Sequence, residues 1–149
     1  MTVVSVRPPS DVREVRAGRS QALGSWVVAN LLLLAVAILI AEPVAALLAL
    51  LAQGVALTSL PGQIFFGYLY APFLALAPCL AFLAILWLTD RGEGPSFRTR
   101  ALLLCIPVFT VGVLLEWLLL GGSLDQGAFI ALTSIPTWLL FGAIVRPPA

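Results

Sequence analysis

Three acidic side chains are the groups in this chain whose type and placement could do chemistry. Glu42 and Glu116 each stand inside a long apolar stretch, and Asp125 stands at the start of another. Because a bare carboxylate in hydrocarbon is costly, each acid must be protonated, hydrated, bound to an ion or paired with another chain. These residues are therefore the candidates for a proton or ion site, or for a contact with a partner.

Side chains that many other chemistries need are missing from the sequence. None of the 149 residues is histidine or lysine, which excludes His-ligated haem or zinc, Ser-His-Asp triads, Schiff-base lysines and Walker-type phosphate sites. Cys79 and Cys105 stand in apolar stretches without a CxxC pattern, so we expect both to be small buried hydrophobic residues. We expect no catalytic residue, no cofactor and no metal, and we expect that the chain is not an enzyme.

The composition decides the broad class of protein. Hydrophobic residues make up 61% of the chain and charged residues 10%, with a mean hydropathy of +1.09. Soluble domains carry about 25% charged residues, so this supply cannot build a water-exposed surface. The net charge of +1 argues against nucleic acid as a partner. The bias toward alanine, leucine and arginine is typical of a bacterial source, so the expected location is the bacterial plasma membrane.

Four apolar stretches are each long enough to cross a membrane, which takes about 20 residues. The predicted spans are residues 25–51, 63–88, 101–120 and 126–145. Prolines inside them are tolerable, because neighbouring helices can satisfy the freed carbonyl groups. Residues 43–62 allow two alternatives: two long tilted helices, which we favour, or a half-helix or interfacial hairpin with prolines as hinges.

The arginines set the expected topology. The eight basic residues are Arg7, Arg13, Arg16, Arg19, Arg91, Arg98, Arg100 and Arg146. Four precede the first span, three lie between the second and third spans, and one follows the fourth, so four spans put all of them on one side. The positive-inside rule makes that side cytoplasmic. The sequence therefore predicts an all-α membrane protein, a four-transmembrane-helix bundle with its N- and C-termini in the cytoplasm.

The two ends of the chain are expected to be cytoplasmic segments. Residues 1–24 are polar, and Asp11 with Glu14 resembles a capping box that would start a short helix. Such a helix would rest on the membrane surface with its arginines at anionic headgroups. The alternative is an irregular tail whose arginines only set the topology. Residues 146–149 form the C-terminal tail.

Small residues recur at every fourth position in the first two spans. The first stripe is Ala37, Ala41, Ala45 and Ala49, and the second is Gly67, Ala71, Ala75 and Cys79. Because helices in lipid associate through close backbone approach, two such stripes on antiparallel neighbours would fit against each other. We expect the first two spans to pack along these stripes.

Glu42 and Glu116 are expected at similar depth, toward the outer leaflet. They lie about 25 and 22 Å from the cytoplasmic edge of a core about 30 Å thick. No arginine is expected at that depth. Three readings stay open: both acids are neutral or reach water and do nothing, a partner subunit supplies a basic residue, or the acids form a proton or cation site.

Three classes of function fit a small bundle of this kind. The first, which we favour, is an accessory or structural subunit of a larger membrane complex, with other membrane-protein subunits or further copies of the chain as partners beside the lipid bilayer. The alternative is a small oligomeric transporter or channel, coupled to protons or cations, that uses Glu42 and Glu116. A membrane enzyme ranks last, because no basic residue on the outer side would hold a lipid headgroup.

Overall fold

The described part of the chain is built from α-helices and one short 3-10 turn. The computed structural model describes residues 9–89 and 96–148, and for residues 9–17 it describes only the backbone. Within these residues 90% are helical and no strand occurs. The helices are α1 (Pro9–Gln53), α2 (Leu60–Thr89), α3 (Phe97–Leu119), α4 (Leu124–Thr133) and α5 (Ile135–Ile144). The predictions for Arg7 and Arg91 fall outside the described residues.

Three of these helices are long and apolar enough to cross a membrane. They are Gly18–Gln53 of α1, Leu57–Thr89 including the 3-10 turn before α2, and α3; a fourth span results if α4 and α5 count as one. Their outer faces carry many large apolar side chains, such as Leu32, which is 64% exposed, and Phe73, which is 74% exposed. A helix that is hydrophobic all round is typical of a membrane span. This confirms the all-helical class, whereas the count of four spans and the orientation remain predictions.

The backbone of residues 43–62 follows the long-helix alternative. α1 continues through Pro43 to Gln53, a single 3-10 turn follows at Leu57–Ser59, and α2 begins at Leu60. Gly54 directly follows the last residue of α1 and has φ 64°. The Val55 N–H donates to the Leu50 carbonyl at 3.1 Å and the Gly54 N–H to Leu51 at 3.3 Å, which is a Schellman motif. α3 ends in the same way at Gly121, with φ 84°.

For the N-terminal polar segment the sequence left two alternatives open, a short surface helix and an irregular tail. From Pro9 onward the backbone already belongs to α1, which continues without a break into the apolar stretch. Residues 1–8 lie outside the described part of the chain. The polar segment is therefore helical in its described portion, and it is an extension of the first long helix.

The predicted fourth span is two helices and not one. α4 and α5 meet at Ser134 at an angle of 46°. Pro136 follows the junction at the start of α5. Because proline has no backbone N–H, it cannot donate the helical hydrogen bond to the Leu132 carbonyl one turn back. The proline that we expected inside a continuous helix thus stands next to a bend.

The core consists of small-residue contacts and one aromatic cluster. Both predicted stripes lie mainly on buried faces, and α1 packs along α2. The aromatic cluster is Phe82, Phe109, Trp138 and Phe141, in which Phe109 stacks on Trp138 with ring centroids 4.5 Å apart and every other contact is 5.6–5.8 Å. The two cysteines are free and buried, as expected.

The start of the apolar part of α1 meets the end of the chain. The Trp26 indole donates to the Arg146 carbonyl at 2.7 Å, and the Arg146 N–H donates to the Asn30 side-chain oxygen at 2.8 Å. Trp26 also contacts Trp87, near the end of α2, with ring centroids 5.6 Å apart. The beginning of α1 and the ends of α2 and α5 therefore lie together.

The start of α3 belongs to the same end of the bundle. The Arg100 guanidinium, in the first turn of α3, donates to the carbonyl of Thr89, where α2 ends. We call this end, marked by Trp26, Arg100 and Arg146, the arginine end. The opposite end contains the junctions from α1 to α2 and from α3 to α4.

Candidate functional site

A cavity of about 500 Å³ occupies the half of the bundle away from the arginine end. Residues of all five helices line it, and on α2 these are confined to the first half of the helix, from Gln63 to Leu74. Cavities of this size commonly hold small-molecule ligands. On α1 the cavity is lined by Ala45, Ala46 and Ala49, and these small side chains leave the space between the helices open.

Glu42 is the one acidic residue among those that line this cavity. It is 9% exposed, and its carboxyl group lies directly against the backbone of Gly67, so that a Cβ at position 67 would overlap it. The carboxyl group forms no hydrogen bond or ion pair with any residue that the structure describes. The fold thus places an acid in an apolar cavity without a counter-charge from the described chain.

A hydrogen bond close to Glu42 fixes the register of α1 against α2. The Tyr68 hydroxyl donates to the Leu39 carbonyl at 2.9 Å. Tyr68 is the neighbour of Gly67 in sequence, and Leu39 precedes Glu42 by about one helical turn. The bond therefore holds the two helices at the register that sets Glu42 opposite Gly67.

Aromatic rings form much of the cavity wall. Phe66 and Tyr70 come from α2, Trp117 from α3, Phe129 from α4 and Trp138 from α5. Trp138 is 2% exposed, and its indole N–H has no hydrogen-bond partner among the described residues. An apolar space lined by several aromatic side chains and one carboxyl group suits a cation, because aromatic rings can attract positive charge to their faces.

The bend between α4 and α5 adds hydroxyl groups to the wall. Thr133 and Ser134 both line the cavity. The Thr133 hydroxyl is occupied, since it donates to the Phe129 carbonyl at 2.9 Å. The Ser134 hydroxyl forms no hydrogen bond with the described residues. The junction therefore leaves one hydroxyl that can turn to a ligand or to water.

Toward the arginine end the cavity is closed by the aromatic cluster. Trp138 lines the cavity and stacks on Phe109. Beneath these rings Phe82 and Phe141 are fully buried. The cavity consequently lies on one side of a packed layer, with the arginine end on the other.

The structure does not bring the three candidate acids together. Glu116 is half-buried and lines a separate groove between α2 and α3, beside Pro78 and Gly112. Asp125 is exposed in the first turn of α4. Glu42 and Glu116 therefore line different spaces in the bundle.

Several residues of the cavity could not be predicted from the sequence. The spacing of the aromatic residues, and of Thr133 and Ser134, did not indicate that they line a common cavity. Gly67 was assigned correctly to the small-residue stripe, but nothing in the spacing placed it opposite Glu42. A serine two positions before Pro136 was the available signal for the bend.

The site offers a poor set of ligands for a metal ion. Within the described ranges no three His, Cys, Asp or Glu side chains lie close enough to hold a metal together. Calcium takes 6–8 oxygen ligands, whereas the cavity presents one carboxyl group. A singly charged cation or a proton fits this donor set better.

Comparison of the chain with family models, curated proteins and solved structures found no match. The fold and the cavity thus define the class of protein and no more. Over residues 9–89 and 96–148 it is an all-helical protein with three or four helices that are long and apolar enough to cross a membrane. It carries an acidic, aromatic-lined cavity in one half of the bundle.

Proposed function

We propose that the chain is a small membrane transporter that carries a cation in exchange for a proton, with Glu42 as the shared binding group. One observation carries this proposal: the nearly buried Glu42 carboxyl group faces a cavity of about 500 Å³ without a cationic partner in the described chain. Such a carboxyl group is stable in an apolar site when a proton or a bound cation neutralises it.

The exchange at Glu42 conserves charge. Protonated Glu42 releases its proton to water in the cavity as a monovalent cation arrives, and the carboxylate then holds the cation. In the return step a proton displaces the cation. Each state of the site is neutral, so that no uncompensated charge is left in the apolar interior. Among the described residues that line the cavity, Glu42 and Tyr70 are the titratable ones.

The closure of the cavity on one side supports a carrier that exposes its site to one side of the membrane at a time. The aromatic cluster separates the cavity from the arginine end. The junction at Ser134 lines the cavity and already divides the fourth apolar stretch into two helices at 46°. A change in this bend would move Trp138 relative to α4 and open the packed layer.

The transport proposal is tested by ion flux in liposomes. The full chain is reconstituted with a pH-sensitive dye inside, and sodium, potassium or benzyltrimethylammonium chloride is added outside. The wild-type chain should release protons from the vesicles in response to at least one of these cations, and Glu42→Gln should abolish the release. Glu116→Gln is the matched control, because Glu116 lies in the separate groove. Equal flux in the wild-type and Glu42→Gln vesicles would contradict the proposal.

An accessory subunit is the second candidate, because an arginine of another chain could supply the counter-charge that Glu42 lacks. Purification from native membranes in a mild detergent separates this candidate from transport. A stoichiometric partner that is lost with Glu42→Gln and kept with Glu116→Gln would favour the subunit. A chain that purifies alone, or only with its own copies, would argue against it.

A further inference from the structure

We propose that the cation bound at Glu42 is an organic ammonium ion with an aromatic or alkyl substituent, and not a metal ion. This inference rests on the proposed function and specifies its substrate class. Three features of the cavity carry it: its volume, its aromatic walls and its small number of oxygen ligands.

The volume of the cavity exceeds what a bare ion fills. About 500 Å³ of space lies beside a single carboxyl group, and ligand pockets of about 300–1,000 Å³ are typical for organic molecules. Ala45, Ala46 and Ala49 leave this space open along α1. A sodium or potassium ion would occupy a small part of it and leave apolar walls in contact with water.

The walls suit the organic part of such a cation. Tyr70, Phe129 and Trp138 present rings to the cavity, and aromatic faces attract quaternary ammonium groups through their negative quadrupole. The attraction is stronger in a site without much water. Apolar substituents would contact Leu74, Ile130 and Val113, and their burial would add favourable free energy.

The polar groups suit an ammonium ion better than a metal. The Glu42 carboxyl group and the Ser134 hydroxyl have no partner in the described chain. An alkylammonium ion needs a charge partner and few oxygen ligands, whereas a hard metal ion must replace most of its hydration shell by protein oxygens. Glu42 alone supplies the charge partner that an alkylammonium ion needs.

Binding of radiolabelled benzyltrimethylammonium to the full chain in maltoside detergent tests the inference. We expect saturable binding that neopentylbenzene, the neutral carbon isostere, and excess sodium chloride do not displace. Glu42→Gln should weaken binding about tenfold or more, because it removes the charge partner at a nearly buried position. Glu116→Gln, in the separate groove, should bind like the wild type.

A second variant locates the ligand in the cavity and keeps the carboxyl group. Ala49→Leu would place a larger side chain in the cavity at a half-buried position. We expect it to weaken binding of benzyltrimethylammonium severalfold while Glu42 remains present. Unchanged binding in both Glu42→Gln and Ala49→Leu would overturn the inference, because the probe would then partition elsewhere.

The outcomes for this inference and for the proposed function can be told apart. If sodium or potassium drives proton flux that depends on Glu42, but benzyltrimethylammonium neither binds nor drives flux, the inference fails and the transport proposal stands. If no cation drives flux but benzyltrimethylammonium binds at Glu42, transport fails and the ligand class stands. If no cation drives flux and benzyltrimethylammonium does not bind, the transport proposal and the inference about the ligand class both fail.

Discussion

The Glu42 carboxyl group of α1 occupies the space that Gly67 of α2 leaves by having no side chain. The Tyr68 hydroxyl, bonded to the Leu39 carbonyl at 2.9 Å, holds the two helices at this register. Among the described residues Glu42 is the one acid that lines the cavity, and its position is thus set by a glycine on the neighbouring helix. This pairing leads to a prediction that tests the placement of the carboxyl group separately from its charge.

Gly67→Ala should displace the Glu42 side chain and reduce the proton flux that depends on it. The added Cβ would overlap the end of a flexible side chain, so the helices can keep their positions while the carboxyl group moves to another rotamer. The measurement is proton release from liposomes in response to added cation. Gly62→Ala is the control, since a Cβ there meets nothing within 4 Å. Equal loss of flux in both variants would contradict the role of Gly67.

Asn30→Ala should destabilise the bundle by about 0.5–1.5 kcal/mol, because it removes the hydrogen-bond partner of the part-buried Arg146 N–H. Asn30 is fully buried and accepts a hydrogen bond from the Arg146 N–H at 2.8 Å. Reversible unfolding in mixed detergent micelles would measure the loss. Gln126→Ala, at an exposed position, should change stability by less than about 0.5 kcal/mol. A similar effect of both substitutions would show that the contact with Arg146 contributes little.

Gly112→Ala should destabilise the contact between α2 and α3 by about 1–3 kcal/mol. Its Cβ would lie 2.6 Å from Cγ and 2.7 Å from Cβ of Pro78. The proline ring cannot turn away, because it is closed on its own backbone. The same unfolding measurement applies. The control is Gly24→Ala in α1, where a Cβ meets nothing within 4 Å, and alanine should stabilise the helix by about 0.5–1 kcal/mol. Stability of Gly112→Ala equal to that of the wild type would refute this close packing.

Much of the fold can be predicted from the sequence, because lipid-facing helices must be apolar along their whole length. The long apolar runs indicated α1, α2 and α3, and Gly54 and Gly121 stand where helices end. The arginine pattern predicted that the start of the first span and the end of the chain share one side. The contacts of Trp26 and Asn30 with Arg146 place them at one end of the bundle.

The site could be predicted only in part, because its geometry depends on register and rotation of the helices. Depth along the helix is a matter of counting residues, so Glu42 and Glu116 were expected at a similar level. Which neighbouring helices enclose each acid does not follow from depth. Glu42 lines the cavity, whereas Glu116 lies in a groove between α2 and α3. Alanine is so frequent that several registers of α1 against α2 offer similar small-residue contacts. The bend at Ser134 depends likewise on neighbours, since a proline can also be accommodated in a continuous span.

The topology prediction can be checked with reporters that are active on only one side of the membrane. We expect fusions after Arg146 and within residues 54–60 to report opposite sides, with Arg146 on the cytoplasmic side. The structure places Arg146 beside Trp26 at the arginine end, whereas residues 54–60 form the junction at the other end. Reports from the same side would refute the four-span arrangement.

Proton release on cation binding tests the exchange at Glu42 most directly. The purified chain is kept in unbuffered detergent solution, at a pH at which the empty protein is protonated at Glu42, and a pH electrode follows additions of sodium chloride or benzyltrimethylammonium chloride. If a proton and the cation compete for one carboxyl group, binding should release about one proton per cation, because the two equilibria are linked. Glu42→Gln should release none, and Glu116→Gln should match the wild type. Cation binding without proton release, or equal release from Glu42→Gln, would contradict the account.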